Sequence, residues 1–151
     1  MIYGPVIMNA EIICYKNDWE DVKVVGVSQG REQEKEQAVK NYPQIEKFQD
    51  VTQKGILYTL EDEQVDAVIQ DLTKSAVVPQ YPTMPLSSTD FISYVLVVDK
   101  EFAATEAFAD FVHSYNKAVD KLNKPEYLAE KLDVDKEWLA DKSIKFLPLE
   151  E

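Results

Sequence analysis

Residues Val22 to Gln33 read Val-Lys-Val-Val-Gly-Val-Ser-Gln-Gly-Arg-Glu-Gln, and this stretch constrains the fold more than any other. Val22, Val24, Val25 and Val27 make the run up to Ser28 apolar on both faces, the pattern of a central strand covered by helices on both sides. At Gly30 the run breaks into a polar segment rich in helix formers, so the order is strand, tight turn, helix. The first turn of such a helix presents unpaired N–H groups at the positive end of its dipole, a ready site for a carboxylate or phosphate.

A second junction of this kind follows. Val65-Asp66-Ala67-Val68-Ile69-Gln70-Asp71 has strand character and leads into Leu72-Thr73-Lys74-Ser75. Between the junctions lie a helix from Arg31 to Tyr42 that Pro43 stops, a short strand from Ile45 to Val51, and a helix capped by Thr52 with Ile56, Leu57 and Leu60 on one face. Of the first helix only Ala38, Val39 and Tyr42 can form a buried stripe. Three strands separated by helices imply parallel pairing through right-handed crossovers, hence an α/β unit. Its ligand site belongs beyond the carboxyl ends of the strands, where Ser28 to Arg31 and Gln70 to Lys74 both fall.

Around this unit the pattern is plainer. Residues 2 to 16 are extended in character, with a bend at Gly4-Pro5 ahead of a strand carrying Ile12, Ile13 and Tyr15. Residues 79 to 90, with three prolines, read as an irregular crossing segment, and Phe91 to Asp99 as a strand. Thr105 caps a helix whose apolar residues run at helical spacing from Ala107 to Leu122. Pro125 opens another helix, Asp135 caps a last turn bearing Trp138 and Leu139, and Ile144 to Leu149 are apolar enough to dock.

Composition narrows the function classes. A chain of 151 residues holds a proper core without disulfides or metals. Its net charge of -12 opposes phosphate backbones and anionic lipid surfaces, and no local basic patch offsets it, so no nucleic-acid partner is expected. Cys14 is the only cysteine, which excludes an internal disulfide and a multi-cysteine metal site. The start lacks the basic region of a signal peptide, and no stretch reaches transmembrane length.

No catalytic set assembles. His113, the single histidine, projects with Glu106, Asp110 and Lys117 on the polar side of its helix. Cys14 sits in an apolar strand pattern and reads as a small hydrophobe. The cluster Glu61-Asp62-Glu63 lacks calcium-loop spacing. No phosphate-loop, nucleophile-elbow or zinc spacing occurs. No catalytic residue, metal or cofactor is expected.

Taken in order, Lys23-Val24-Val25-Gly26-Val27-Ser28-Gln29-Gly30, then Val65 to Asp71, then Tyr94 to Val98 and Thr105 to Leu122, the chain resembles one lobe of a type II periplasmic substrate-binding protein of ABC transporters. Those proteins close two lobes on a ligand, and this chain has the length of one lobe plus a helical tail, either cut from a longer receptor or a naturally reduced one-lobe relative. Where the family commonly has glycine before its valine-aspartate strand, this chain has Asp62-Glu63-Gln64.

The resemblance implies an α/β fold, a mainly parallel sheet with flanking helices and a helical C-terminal tail. It divides the chain into a hinge-like extended segment and strand (1–21), the α/β lobe (22–99) and a helical segment packing on it (100–151). It also implies a non-catalytic solute-binding module for a small polar or anionic organic ligand. The turn Ser28-Gln29-Gly30-Arg31 would hold a ligand carboxylate, and Asp71 a ligand amine or hydroxyl, with Thr73 as a lesser contact. Gly30 permits close backbone approach and Arg31 brings a forked cationic donor. The plainer alternative makes Gly30 a turn residue, Arg31 a solvated helix-start charge and Asp71 a helix cap. Tyr3 and Asn9 would face the cleft if their segment is the hinge, and otherwise belong to a solvated terminus. Partners would be the ligand and an ABC permease, with a homo-oligomer through the open half-cleft as a further option. Placement would be extracytoplasmic if an export signal precedes the chain and cytoplasmic otherwise. Rival roles on this fold are an effector-sensing domain of a regulator, a small enzyme and an assembly module.

Overall fold

The computed structural model describes residues 1–151. In chain order the strands are β1 (Ile2–Met8), β2 (Glu11–Tyr15), β3 (Val24–Ser28), β4 (Lys47–Val51), β5 (Ala67–Asp71), β6 (Thr83–Pro85), β7 (Ile92–Val97) and β8 (Lys145–Phe146). The helices are α1 (Glu32–Asn41), α2 (Ile56–Glu61), α3 (Leu72–Ser75), α4 (Lys100–Ala103), α5 (Glu106–Leu122), α6 (Pro125–Leu132) and α7 (Lys136–Ala140). The chain divides into two units, one of Glu11–Thr89 and one of Met1–Ala10 with Asp90–Glu151. These boundaries differ from those expected at 21 and 99, because β7 pairs with β1 rather than with the sheet of the α/β unit.

The unit of residues 11–89 holds a five-stranded sheet in the order β4-β3-β5-β2-β6. β3 pairs in parallel with β4 and with β5, as the alternation of strands and helices predicts. β2 runs antiparallel to both β5 and β6, so four of the five strands share one direction. The middle position belongs to β5 and not to β3, although β3 is interior and Val25 and Val27 are fully buried. The chain leaves β3 for β4 on one side and then passes back to β5 on the other.

Ile56 and Leu60 of α2 pack with Cys14, Val65 and Val68 in a buried cluster. Gly26 allows this closeness: a Cβ there would lie 3.3 Å from Val68 Cγ1 and 3.4 Å from Val65 Cγ2. Cys14 is buried and not in a disulfide. The crossing segment is less irregular than expected, since Thr83–Pro85 pairs with β2 at Cys14, Ile13 and Ile12.

Several helix starts follow the local chemistry. Thr52 Oγ1 accepts from Gly55 N at 3.2 Å, but the turn it closes is a 3₁₀ segment, Gln53–Gly55, ahead of α2. Thr105 accepts from Phe108 N at 3.2 Å and starts α5. Asp135 precedes α7 without making a side-chain cap bond. The short α4 was not anticipated; Asp99 Oδ1 caps it by accepting from Glu101 N and Phe102 N.

The unit of residues 1–10 and 90–151 has a three-stranded antiparallel sheet in the order β7-β1-β8. Gly4 and Pro5 lie inside β1 instead of marking a bend, and the register against β7 shifts around them. Tyr3, Val6, Leu96 and Val98 pack against Phe108 and Val112 of α5. The tail docks as its composition predicts. Asn116 brackets Leu149 with two 2.8 Å bonds, and Asn123 brackets Phe146 with bonds of 2.9 and 2.7 Å.

Tyr3 is neither solvated nor free. Its ring meets Phe108 edge-on at 4.9 Å and its hydroxyl donates to the Glu150 carbonyl. Asn9, at φ 60, accepts from Phe91 N and donates to Asp90 Oδ1 and the Ser143 carbonyl. That is the left-handed conformation a short amide side chain tolerates.

Candidate functional site

Parallel pairing brings the ends of β3 and β4 side by side, with Ser28 opposite Val51. Beyond them lies a cavity of about 380 Å³ lined by Ser28, Gln29, Arg31, Asp50, Val51, Thr52 and Gln53. Three of the residues expected at the site, Ser28, Gln29 and Arg31, therefore come together. Its second wall, Asp50 to Gln53, was not singled out from sequence. The signal was present all the same: the strand ending at Val51 and the cap at Thr52 form the same kind of strand end as Ser28 to Arg31.

Gly30 stands in the turn at φ +84, with nothing within 4 Å of an added Cβ. The left-handed backbone there is strained for other residues, and the space around it is open. Behind it α1 begins at Glu32 without a side-chain cap, so its first N–H groups receive no bond from the residue ahead.

The Arg31 side chain is 37% exposed and also ion-paired. Its Nη1 lies 3.0 Å from Glu34 Oε1, and Glu34 is buried. The carboxylate neutralises part of the guanidinium's charge and holds its orientation. Asp50 is likewise engaged. Lys35 Nζ sits 3.2 Å from Asp50 Oδ1 and 3.2 Å from Glu32 Oε1, and these hydrogen bonds, Asp50 first, hold the lysine's pKa above its ordinary value. The lining thus carries one member of each of two ion pairs, the cation Arg31 and the acid Asp50.

Asp71 and Thr73 are at the neighbouring junction and do not line this cavity. Asp71 Oδ1 accepts from Thr73 N at 2.9 Å and from Thr73 Oγ1 at 2.7 Å, which makes the carboxylate the cap of α3. Lys74 Nζ donates to the Gln53 carbonyl at 2.9 Å and ties this junction to the second wall of the cavity. Two buried polar residues accompany the strand end: Glu11, opposite Asp71 in the β2–β5 register, and Gln70, whose Nε2 donates to Ser75 Oγ at 2.7 Å.

His113 is exposed, as its helical position predicts, with Nδ1 2.9 Å from Glu151 Oε1. No group of His, Cys, Asp and Glu side chains is arranged to hold a metal ion. No helix is long and apolar enough to cross a membrane.

No protein-family model matches the sequence, and no curated protein matches it. Solved structures do match. The alkanesulfonate-binding protein of Xanthomonas axonopodis pv. citri, bound to MOPS, superposes with a TM-score of 0.60 at 14% identity, over 99% of this chain and 62% of that one. A ligand-binding component of an ABC-type import system from Staphylococcus aureus, with zinc bound, gives 0.61 at 12% identity, over 96% and 60%. The periplasmic aliphatic sulphonate-binding protein of Escherichia coli gives 0.56 at 17% identity, over 95% and 60%. The chain spans about three-fifths of the length of each. Its fold is that of the periplasmic substrate-binding proteins of ABC transporters.

Proposed function

We propose that this chain is a solute-binding module of an ABC-type small-molecule uptake system, and that residues 11–89 bind a small polar or anionic organic ligand without reacting with it. The observation that carries this reading is the cavity where Ser28, Gln29 and Arg31 face Asp50 to Gln53. Gly30 lets the backbone approach the ligand, Arg31 and the start of α1 supply donors for a carboxylate or sulfonate, and Asp50 suits an amino group. Asp71 and Thr73 act from the adjacent junction, where one carboxylate serves as cap and contact together. The fold shared with ABC-transporter binding proteins supports this role, an extracytoplasmic placement and a permease as partner.

Thermal unfolding of the complete protein against a panel of sulfonates (MOPS included), carboxylates and amino acids tests the proposal. A ligand at a hundred times its Kd adds about 2.7 kcal/mol to stability and raises the Tm accordingly. A panel that leaves the Tm unmoved would overturn it.

A further inference from the structure

Gln70 is a polar side chain in an otherwise apolar strand. It is 5% exposed, its Nε2 donates to Ser75 Oγ at 2.7 Å, and its Oε1 is buried with no hydrogen-bond partner. With the amide nitrogen held by α3, the carbonyl oxygen is the end left over. A buried carbonyl oxygen without a donor is costly, and few are kept in a core without a use.

The sheet register fixes what stands beside Gln70. On the β2 side it pairs with Ile12, whose side chain has no donor. On the β3 side Gly26 pairs with Val68, and a Cβ on Gly26 would lie 3.3 Å from Val68 Cγ1, so the two share a face. Two residues further along these parallel strands, the same face carries Ser28 and Gln70. β3 stays paired with β4 as far as Ser28–Val51, but with β5 it pairs only at Val25–Ala67 and Gly26–Val68. Ser28 and Gln70 therefore flank the place where β3 and β5 part, and Ser28 also lines the cavity.

We infer that Gln70 is a positioning residue of the ligand site: in the liganded state its Oε1 takes the Ser28 hydroxyl hydrogen, which leaves the Ser28 oxygen to accept from the ligand. A hydroxyl has one hydrogen and two lone pairs, so committing the hydrogen to Gln70 turns the group from a donor into an acceptor at the cavity. That wall then selects a ligand bearing an amino group beside its anionic group over the same molecule without it. The inference rests on the proposed ligand site and deepens it: Arg31 and the start of α1 meet the anionic end, and Ser28 meets a donor because Gln70 stands beside it. A water held between the two strands is the rival partner for Oε1, and it would leave the Ser28 hydroxyl free to donate.

Calorimetric titration tests this with amino-bearing ligands, each paired with the same molecule lacking the amino group, as taurine with ethanesulfonate and L-alanine with propionate. The wild-type chain should prefer the amino member of a pair. Gln70→Met, which nearly keeps the volume and removes the acceptor, should cut that preference roughly tenfold. Ser28→Ala should cut it by a similar factor, and adding Gln70→Met to Ser28→Ala should change it little further. A loss of stability weakens both members of a pair alike and cancels in the ratio. A crystal structure of the wild-type chain with the amino member bound needs no variant, and should place Ser28 Oγ within hydrogen-bond distance of Gln70 Oε1. A panel of sulfonates, carboxylates and amino acids that leaves the wild-type Tm unmoved overturns the ligand site and this inference together. Binding without the preference, a preference that Gln70→Met leaves intact, or a water on Oε1 in the liganded crystal overturns this inference alone.

Discussion

Arg31 Nη1 and Glu34 Oε1 stand 3.0 Å apart, so the cation at the mouth of the cavity is held by a buried acid on the next turn of its own helix. Removing Arg31 should therefore act twice. Arg31→Ala takes a charge-assisted donor from an anionic ligand, weakening binding about tenfold or more. It also strands Glu34 in a buried position, at a cost of about 1–3 kcal/mol. Arg31→Ala combined with Glu34→Gln should recover most of the stability and none of the affinity. Calorimetric titration beside urea unfolding separates the two effects; equal loss of both in the double variant would contradict the assignment.

Gly26 is a packing residue rather than a turn residue. An alanine Cβ would meet Val68 Cγ1 at 3.3 Å and Val65 Cγ2 at 3.4 Å, in the layer where α2 closes on the sheet. Gly26→Ala should destabilise the unit of residues 11–89 by about 1–3 kcal/mol, read from the midpoint of chemical unfolding. A neutral result would mean that α2 shifts away without cost.

Glu63 adopts φ 56 just after α2, a conformation that glycine takes freely and other L-residues take under strain. Its ion pair with Lys16, 3.5 Å long and exposed, offers little to offset that strain. Glu63→Gly is expected to stabilise the protein by about 0.5–1 kcal/mol. Loss of stability in the variant would place the weight on the Lys16 contact instead.

Burial raises the pKa of Tyr42 and of Tyr115 above the ordinary phenol value of 10.0. A folded-state pKa above the unfolded one means that the folded chain holds its protons longer. The stability this confers is fully present below pH 10 and is lost as pH rises through the folded values. Unfolding free energy should thus fall steadily above about pH 10. Tyr115 also shares its hydroxyl hydrogen between the carbonyls of Leu147 at 2.9 Å and Val6 at 3.1 Å, and the Val6 carbonyl accepts from Leu147 N as well, so Tyr115→Phe should flatten part of the alkaline slope while costing about 1 kcal/mol at neutral pH for the lost hydrogen bond. Urea unfolding at pH 7 to 11 tests both.

Much of the α/β unit was legible because its signals are local. Val22 to Ser28, Val65 to Asp71, Pro43, Thr105 and Pro125 act through composition and backbone chemistry within a few residues, and that range is enough to place strands, turns and caps to within about two residues. Ser28, Gln29, Gly30 and Arg31 were legible for the same reason, as a strand end running into a helix. Glu63 shows the limit of such reading: its helix ends where a glycine would be expected, and only the backbone angle shows that glutamate has taken the glycine conformation.

What only the tertiary structure decided is who meets whom. Sequence alone determined the strand-to-helix junctions, because propensity and periodicity are properties of a short window. It did not determine that Asp50 to Gln53 form the other wall of the cavity, that Asp71 turns to Thr73, or that β7 leaves the α/β sheet to pair with β1. Those outcomes follow from pairing between segments distant along the chain, where hydrogen bonding and burial choose among partners that local preference leaves equal.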